Sequence, residues 1–369
     1  MAVAMTTLRK ALWLACMIAA AGLNEKTSLG QNTQPMTLHV YVNTIQIPVL
    51  VLGKNRQPVE PVAANRFLVN FDSGPWFPAT HARLEGDDPI SLAILLDVSG
   101  NSATLMRKVS DEIADLAPNG LHHRDHVSVY SLDCGLFQTA DNLPAGAATL
   151  KQAVDDALAA VRSRTSIKHH AGCRQKIHLW DALAYVTNQL RELPGRRVIL
   201  VLTDGNDQGS KNSWNELRLF AQESAVAVFA VRSAAAPPQM LAGVRDSGLA
   251  RNQPALPQGW AFEDDLTAVC ELSGGMVFTA NEHSLAKTLQ RFPSILRQRY
   301  IVEFPRPYNG TAGPHDMEVK VEKGADYFIR PTGNSVPIAD PALARDPTTL
   351  PSDPSHEPEQ GTRKILTPN

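Results

Sequence analysis

The chain has 369 residues, 43% hydrophobic and 20% charged, with 35 Lys and Arg against 37 Asp and Glu for a formal net charge of -2. That length and apolar content can bury a sizeable core, which argues against a mini-protein or an intrinsically disordered chain. The balanced charge lacks the electrostatic footprint of a nucleic-acid binder or a polybasic membrane-surface protein, so no nucleic-acid partner is expected.

Met1 to Lys10 closes on Arg9-Lys10 and leads into Ala11 to Leu23, an uncharged apolar run shorter than the roughly 18 residues a spanning helix needs. The basic start, the apolar stretch and the small residues Ala19, Ala20 and Ala21 describe a secretory signal peptide over residues 1–21, with a polar linker to about residue 34. The alternative is a buried N-terminal helix. Trp13 stands three residues before Cys16, where a lipoprotein signal carries leucine, so no lipid anchor is expected. No later stretch is apolar enough to be a transmembrane segment, and the expected location is the periplasm or the cell exterior. Removal of Cys16 leaves Cys134, Cys173 and Cys270, an odd number that allows one disulfide and one free thiol, with Cys270 on an apolar helix face.

From Thr37 to about Asp88 apolar and polar residues alternate, in Leu38, Val40 and Val42 and again in Phe67, Val69 and Phe71, which predicts a β-rich module over 37–88. After Pro89, apolar strands alternate with amphipathic helices, which predicts an α/β domain over 89–298 on a doubly wound, mostly parallel sheet flanked by helices. The expected strands are Ser91 to Leu96, Val127 to Leu132, Val198 to Thr203, Ala225 to Val231 and Met276 to Thr279, with Leu136 to Thr139 returning antiparallel at the edge. Apolar residues at three- and four-residue steps mark one helix through Leu105, Val109, Ile113 and Leu116 and another through Leu179, Leu183, Val186 and Leu190. The strand pattern returns over 299–330, in Tyr300 to Phe304 and Met317 to Val321, and this segment is expected to pair with the N-terminal module. Residues 331–369, rich in Pro, Asp, Ser, Glu and Thr, read as a disordered tail.

A doubly wound sheet binds ligands beyond the carboxyl ends of its strands. Three polar loops fall there: Asp97-Val98-Ser99-Gly100-Asn101-Ser102, Thr203-Asp204-Gly205-Asn206-Asp207, and the approach to Leu179-Trp180-Asp181-Ala182-Leu183. On residue type alone, Asp97 and Ser99 also suit a helix cap, and Asp204 to Asp207 a turn.

These loops resemble the von Willebrand factor type A (VWA) fold, a Rossmann-like α/β architecture, and more narrowly the exported VWA-related family of the Acidobacterial type. The likeness covers about residues 37 to 330. In chain order its motifs are Arg66 to Gly74 (RFLVNFDSG), Asp97 to Asn101, Trp180 to Leu183 (WDAL), Pro194 to Val198 (PGRRV), Thr203 to Ser210 (TDGNDQGS), Ser273-Gly274-Gly275, and Leu296 to Tyr300 (LRQRY).

The resemblance implies a metal-ion-dependent adhesion site, in which oxygens of a DxSxS loop, a threonine and a further aspartate hold Mg²⁺ or another divalent cation together with water. An open position on the cation would accept an acidic side chain of a protein partner. Asp97, Ser99 and Asp204 match this pattern, while Asn101 replaces the second serine and Ile177 the threonine. The implied site is degenerate, with cation binding weak or absent. The implied function is an exported protein-binding or adhesion module that meets an unidentified protein partner through the upper, carboxyl-end face of the sheet. On this fold Cys134 and Cys173 both fall at that end, implying a disulfide that closes a loop of about 40 residues.

Two other readings stand beside it. One is a metal-free scaffold that binds through the β-rich module, with Trp76 and Phe77 as exposed contacts; the other is a metal-dependent hydrolase. His122, His123, Asp125 and His126, and separately His169, His170, Cys173 and His178, are the alternative zinc-type groupings. No nucleophile elbow, phosphate loop or dinucleotide fingerprint occurs, and enzyme activity is not expected.

Overall fold

A computed structural model describes residues 44–133, 135–167, 176–234, 262, 264–306, 312–322 and 326–336. The N-terminal flank supplies β1 (Thr44–Leu52), β2 (Phe67–Phe71), β3 (Phe77–Pro78) and β4 (His81–Leu84). The centre follows with β5 (Ile90–Asp97), a 3-10 segment (Gly100–Arg107), α1 (Val109–Ala114), α2 (Leu116–Asn119), β6 (His126–Leu132), β7 (Leu136–Pro144), α3 (Ala147–Ile167), α4 (Leu179–Arg191) and β8 (Arg196–Thr203). Then come α5 (Trp214–Glu223), β9 (Val226–Ser233), α6 (Asp265–Leu272), β10 (Val277–Ala280) and α7 (Leu285–Arg297). The C-terminal flank adds β11 (Tyr300–Pro305), β12 (Gly313–Pro314), β13 (Met317–Val321), β14 (Phe328–Pro331) and β15 (Ser335–Val336).

The central sheet runs β10-β9-β8-β5-β6-β7, parallel throughout except for β7, which lies antiparallel on β6. Successive strand residues face opposite sides, and β5 displays this directly. Leu92, Ile94 and Leu96 pack with α1, α2, α3 and α7 on one face, while Ala93 and Leu95 pack with α4, α5 and α6 on the other. Both faces are covered, so β5, β8 and β9 read as nearly all apolar. This is the VWA/Rossmann-like α/β class expected from the sequence.

The flanking segments join as expected too. β1 lies between β11 and β14, with β4 beyond β11, and β2 lies between β13 and β3. Ile45, Ile47, Val49 and Val51 of β1 enter a core with Phe67, Val69, Tyr300, Val302 and Phe304, while Leu50 and Leu52 enter the core of the central sheet. One strand thus fuses the β-rich layer to the α/β layer, and all described residues belong to one compact unit.

Three expectations need correction. The helix through Leu105 to Leu116 is instead a 3-10 segment followed by two short helices. Pro118 has no N–H to give the Ala114 carbonyl, which removes the bond that would carry one helix across Asp115. Order continues past Pro331: the Thr332 N–H donates to the Pro48 carbonyl (2.7 Å) and Val336 is buried in the β-layer core, so the tail reading fails for 331–336, and from residue 337 on it lies outside the described residues. Phe77 is not an exposed contact, since it packs on Phe304 with ring centroids 5.8 Å apart.

The late motifs act as staples between layers. In Pro194 to Val198, Gly195 has φ +82° and a Cβ there would come within 2.6 Å of the Pro89 carbonyl oxygen, so glycine is required. In Leu296 to Tyr300, Arg297 pairs with Asp125 and donates to the carbonyls of Gly86 (3.0 Å) and Asp88 (2.9 Å). Arg299 makes a two-pronged pair with Glu85, both bonds 2.7 Å.

Candidate functional site

At the carboxyl end of the sheet, β5 ends in Asp97 and the neighbouring β8 ends in Thr203, followed by Asp204. The Asp97 side chain is wholly buried and anchors three bonds. It accepts from the Ser99 N–H (3.0 Å) and the Ser99 hydroxyl on Oδ1, and from the Thr203 hydroxyl (2.6 Å) on Oδ2. Thr203 Oγ1 in turn accepts from the Gly205 N–H (3.0 Å), and Asp204 Oδ1 accepts from the Asn206 N–H (2.9 Å). The two polar loops are therefore tied to each other by their own side chains.

This corrects the capping alternative for Asp97 and Ser99. Ser99 occupies the position before the 3-10 segment but makes no side-chain cap bond, because its hydroxyl is turned to Asp97. The turn reading of Asp204 agrees with its bond to Asn206. Asn101 falls within the 3-10 segment, and its side chain lies outside the described residues. Cys134 and Cys173 also lie outside the described residues, as do residues 1–43 with the signal-peptide reading. Cys270 is buried and free.

Ile177, at the threonine position, is 5% exposed and sits in the core with Leu179, Trp180 and Leu183. Its backbone carbonyl accepts the Gln208 N–H (2.8 Å), which holds the segment against the loop after β8. Asp97, Ser99 and Asp204 are hard oxygen donors suited to a cation such as Mg²⁺. Among the described residues these three are the oxygen donors that match the implied pattern; the Ile177 side chain supplies none, and the Asn101 side chain lies outside the described residues.

The first zinc-type grouping is built differently from the sequence expectation. Asp125 is buried and accepts from the Ile90 N–H (2.9 Å), the His122 N–H (2.6 Å) and Arg297, so its carboxylate serves the fold. Of the second grouping only His178 is described; its Nδ1 lies 3.6 Å from Asp181.

Sequence reasoning passed over how the loop after β8 builds the start of α4. Asp207 Oδ1 accepts from the N–H groups of Leu179 (2.8 Å) and Trp180 (3.3 Å) and from the Ser210 hydroxyl (2.5 Å). Its Oδ2 accepts from the N–H groups of Gly209 (3.2 Å) and Ser210 (3.1 Å). Asp181, in the first turn of α4, returns the favour to the loop by accepting from the N–H groups of Lys211 (3.0 Å) and Asn212 (3.0 Å). Burial would raise the Asp181 carboxyl, but these bonds outweigh it and hold it below the ordinary aspartate range. His178, at the cap position of α4, gives no side-chain cap, so Asp207 caps the helix from another loop. Arg232, at the end of β9, was likewise passed over: it pairs with Asp264 (2.5 Å), whose carboxylate also caps α6 through Thr267 N–H (2.8 Å). A lone arginine ending an all-apolar strand was the available signal.

Burial pushes the Asp97 carboxyl up to about 6; bonds from Ser99 and Thr203 oppose the shift and the Asp204 charge adds to it. The sign follows from linkage. With the unfolded group at 3.8, rising pH ionises the unfolded chain first, so the metal-free fold loses stability as pH climbs through 6. Asp97→Asn is expected to flatten this loss, because the amide does not ionise. Urea titrations of both proteins across that pH range check it.

Beside these loops, a depression of about 260 Å³ is lined by Leu132, Gly135, His178, Asp181, Ala182 and Tyr185. Tyr185 is 49% exposed, the most open of the large apolar side chains among the described residues. Among those residues no helix is long and apolar enough to cross a membrane.

No family model matches this chain, and no curated protein matches it, so the narrower Acidobacterial family is unsupported. Solved structures do resemble it. Proximal thread matrix protein 1 from the mussel byssus is 11% identical over 61% of this chain and 51% of its own, with a TM-score of 0.41. BatB from Bacteroides thetaiotaomicron is 17% identical over 56% of this chain and 99% of its own, at 0.38. A von Willebrand factor type A protein from Catenulispora acidiphila is 12% identical over 82% and 75%, at 0.40. The chain spans about half the length of the mussel protein. At such scores these neighbours assign it no function.

Proposed function

We propose that the chain is an exported VWA-type protein-binding module that meets its partner with the carboxyl-end face of the sheet and does so without a resident cation. The observation that carries this reading is the mutual locking of the two polar loops through Asp97 and Thr203 (2.6 Å), with Ile177 in the threonine's place. A face already set by its own hydrogen bonds needs no metal to preorganise it, and preorganisation lowers the cost of association. The half-open Tyr185 over its depression is the anchor, since aromatic residues seated in pockets dominate contact energies. The role is one of binding, with no catalytic residue assigned.

A photo-crosslinking residue at Tyr185 would isolate the partner from exported protein of the source cells, after which affinity is measured with purified components. Tyr185→Ala is expected to weaken binding at least about tenfold, and a chelator to leave it unchanged. Binding untouched by Tyr185→Ala, or abolished by the chelator, would overturn the proposal. Trp76, 38% exposed with the Lys320 ammonium 3.8 Å over its ring, favours the β-layer as the other contact surface. Loss of binding in Trp76→Ser with Tyr185→Ala silent would select it.

A further inference from the structure

The opposite edge of the sheet holds a larger cavity, of about 560 Å³, within the range of small-molecule sites. It opens where β8 and β9 begin and α4 and α5 end, and the β-layer closes it with Gln46 to Pro48, Pro314 and Thr332 to Ser335. Four arginines stand in its wall, Arg191, Arg196, Arg197 and Arg299, against a single carboxylate, Glu223.

Those guanidiniums are unequally satisfied. Arg191 pairs with Glu192 (2.8 Å) and Arg196 with Asp88 (3.5 Å), both carboxylates outside the wall. Arg197 makes no ion pair among the described residues, although the Glu192 charge acts on it from a distance. It donates Nε to the Leu193 carbonyl (2.9 Å) and Nη1 to the Ser224 carbonyl (3.0 Å) at the ends of α4 and α5, and its Nη2 carries no bond. Arg299 is 1% exposed; Glu85 takes its Nε and Nη2, and its Nη1 is buried with no hydrogen-bond partner. A buried donor of a charged group left unpaired is costly, and the structure offers it no protein acceptor.

We propose that this cavity binds a small molecule with an oxyanion head, carboxylate or phosphate, and an apolar body. Guanidinium forks match the paired oxygens of both groups. The head lies among Arg197, Arg191 and Arg299, and the body lies against Ile47, Pro48, Phe220 and Pro314. The site is independent of the partner-binding face, since it occupies the amino-terminal edge of the strands.

Inorganic phosphate and benzoate, each against sodium chloride of matched ionic strength, are titrated into the purified full chain by calorimetry, with melting followed in parallel. Saturable binding with a raised melting temperature is expected from one of the two, and which one names the head group. Arg197→Gln is expected to weaken it at least about tenfold. Because Arg197 also bonds helix-end carbonyls, the exposed Arg191→Gln provides a second variant that need not disturb folding, with a smaller loss expected. Arg107→Gln, remote and 69% exposed, is expected to change nothing. Absence of saturable heat from both anions would show a cavity that holds only water and would overturn the proposal. Equal losses in Arg107→Gln and Arg191→Gln would overturn it as well, by reducing the effect to charge screening.

Discussion

Asp207→Ala is expected to destabilise the fold by about 3 kcal/mol, more than an ordinary cap loses, because one carboxylate serves two loops. Its removal leaves the N–H groups of Leu179, Trp180, Gly209 and Ser210 without their acceptor and frees the Ser210 hydroxyl. Ser210 Oγ also accepts the Asp181 N–H (3.1 Å), so the damage passes into the first turn of α4. Asp207→Asn keeps one acceptor oxygen and is expected to recover part of the loss. Hydrogen exchange at Leu179 and Trp180 locates the effect: fast exchange there in the alanine variant is the expected result, and unchanged protection would refute the capping role.

Glu85→Ala is expected to cost more, about 3 to 5 kcal/mol, because it strands a buried cation. Arg299 would lose both 2.7 Å bonds while its Nη1 already has none, and at 1% exposure the group gains little from solvent. The pair also joins the strand before the central sheet to the start of β11, where Glu85 N–H donates to the Arg299 carbonyl (2.7 Å). Replacing both residues, Glu85→Leu with Arg299→Met, is expected to be milder than Glu85→Ala alone, since paired apolar substitutes leave no charge behind. Chemical denaturation of the three variants decides it, and a double variant worse than the single would contradict the account of the pair.

Much of the fold was legible because burial on both faces writes itself into composition. β5, β8 and β9 lie between helical layers, and their apolar runs follow from that position. α4 was legible from its stripe of Leu179, Leu183, Val186 and Leu190, all buried. What could not be read is what depends on contacts distant in sequence. Asp207 looks like one more polar turn residue until Leu179, 28 positions earlier, is placed beside it. Pro118 stands in plain view in the sequence, but the apolar spacing from Leu105 to Leu116 carries no trace of the one backbone bond it removes. Thr332 and Val336 looked like tail composition because their partners, Pro48 and the β-layer core, come from the other end of the chain.

The candidate site was legible in position and only partly in chemistry. Asp97, Ser99 and Asp204 do gather at the carboxyl edge of the sheet, as strand-loop motifs require. Residue type alone could not tell that Ser99 turns to Asp97 instead of capping, or that Thr203 supplies the link between the loops. Ile177 carried its message plainly: an isoleucine donates no oxygen, and its burial confirms that it serves the core.

The most direct test is a calorimetric Mg²⁺ titration of the natural chain beside Asn101→Ser with Ile177→Thr, which puts serine and threonine back at the two positions where the implied pattern has them. The account predicts no saturable binding by the natural chain at millimolar Mg²⁺, and saturable binding with a raised melting temperature by the repaired one, abolished by Asp97→Ala. Saturable binding by the natural chain that Asp97→Ala removes would contradict a cation-independent face and return the metal to the centre of the mechanism.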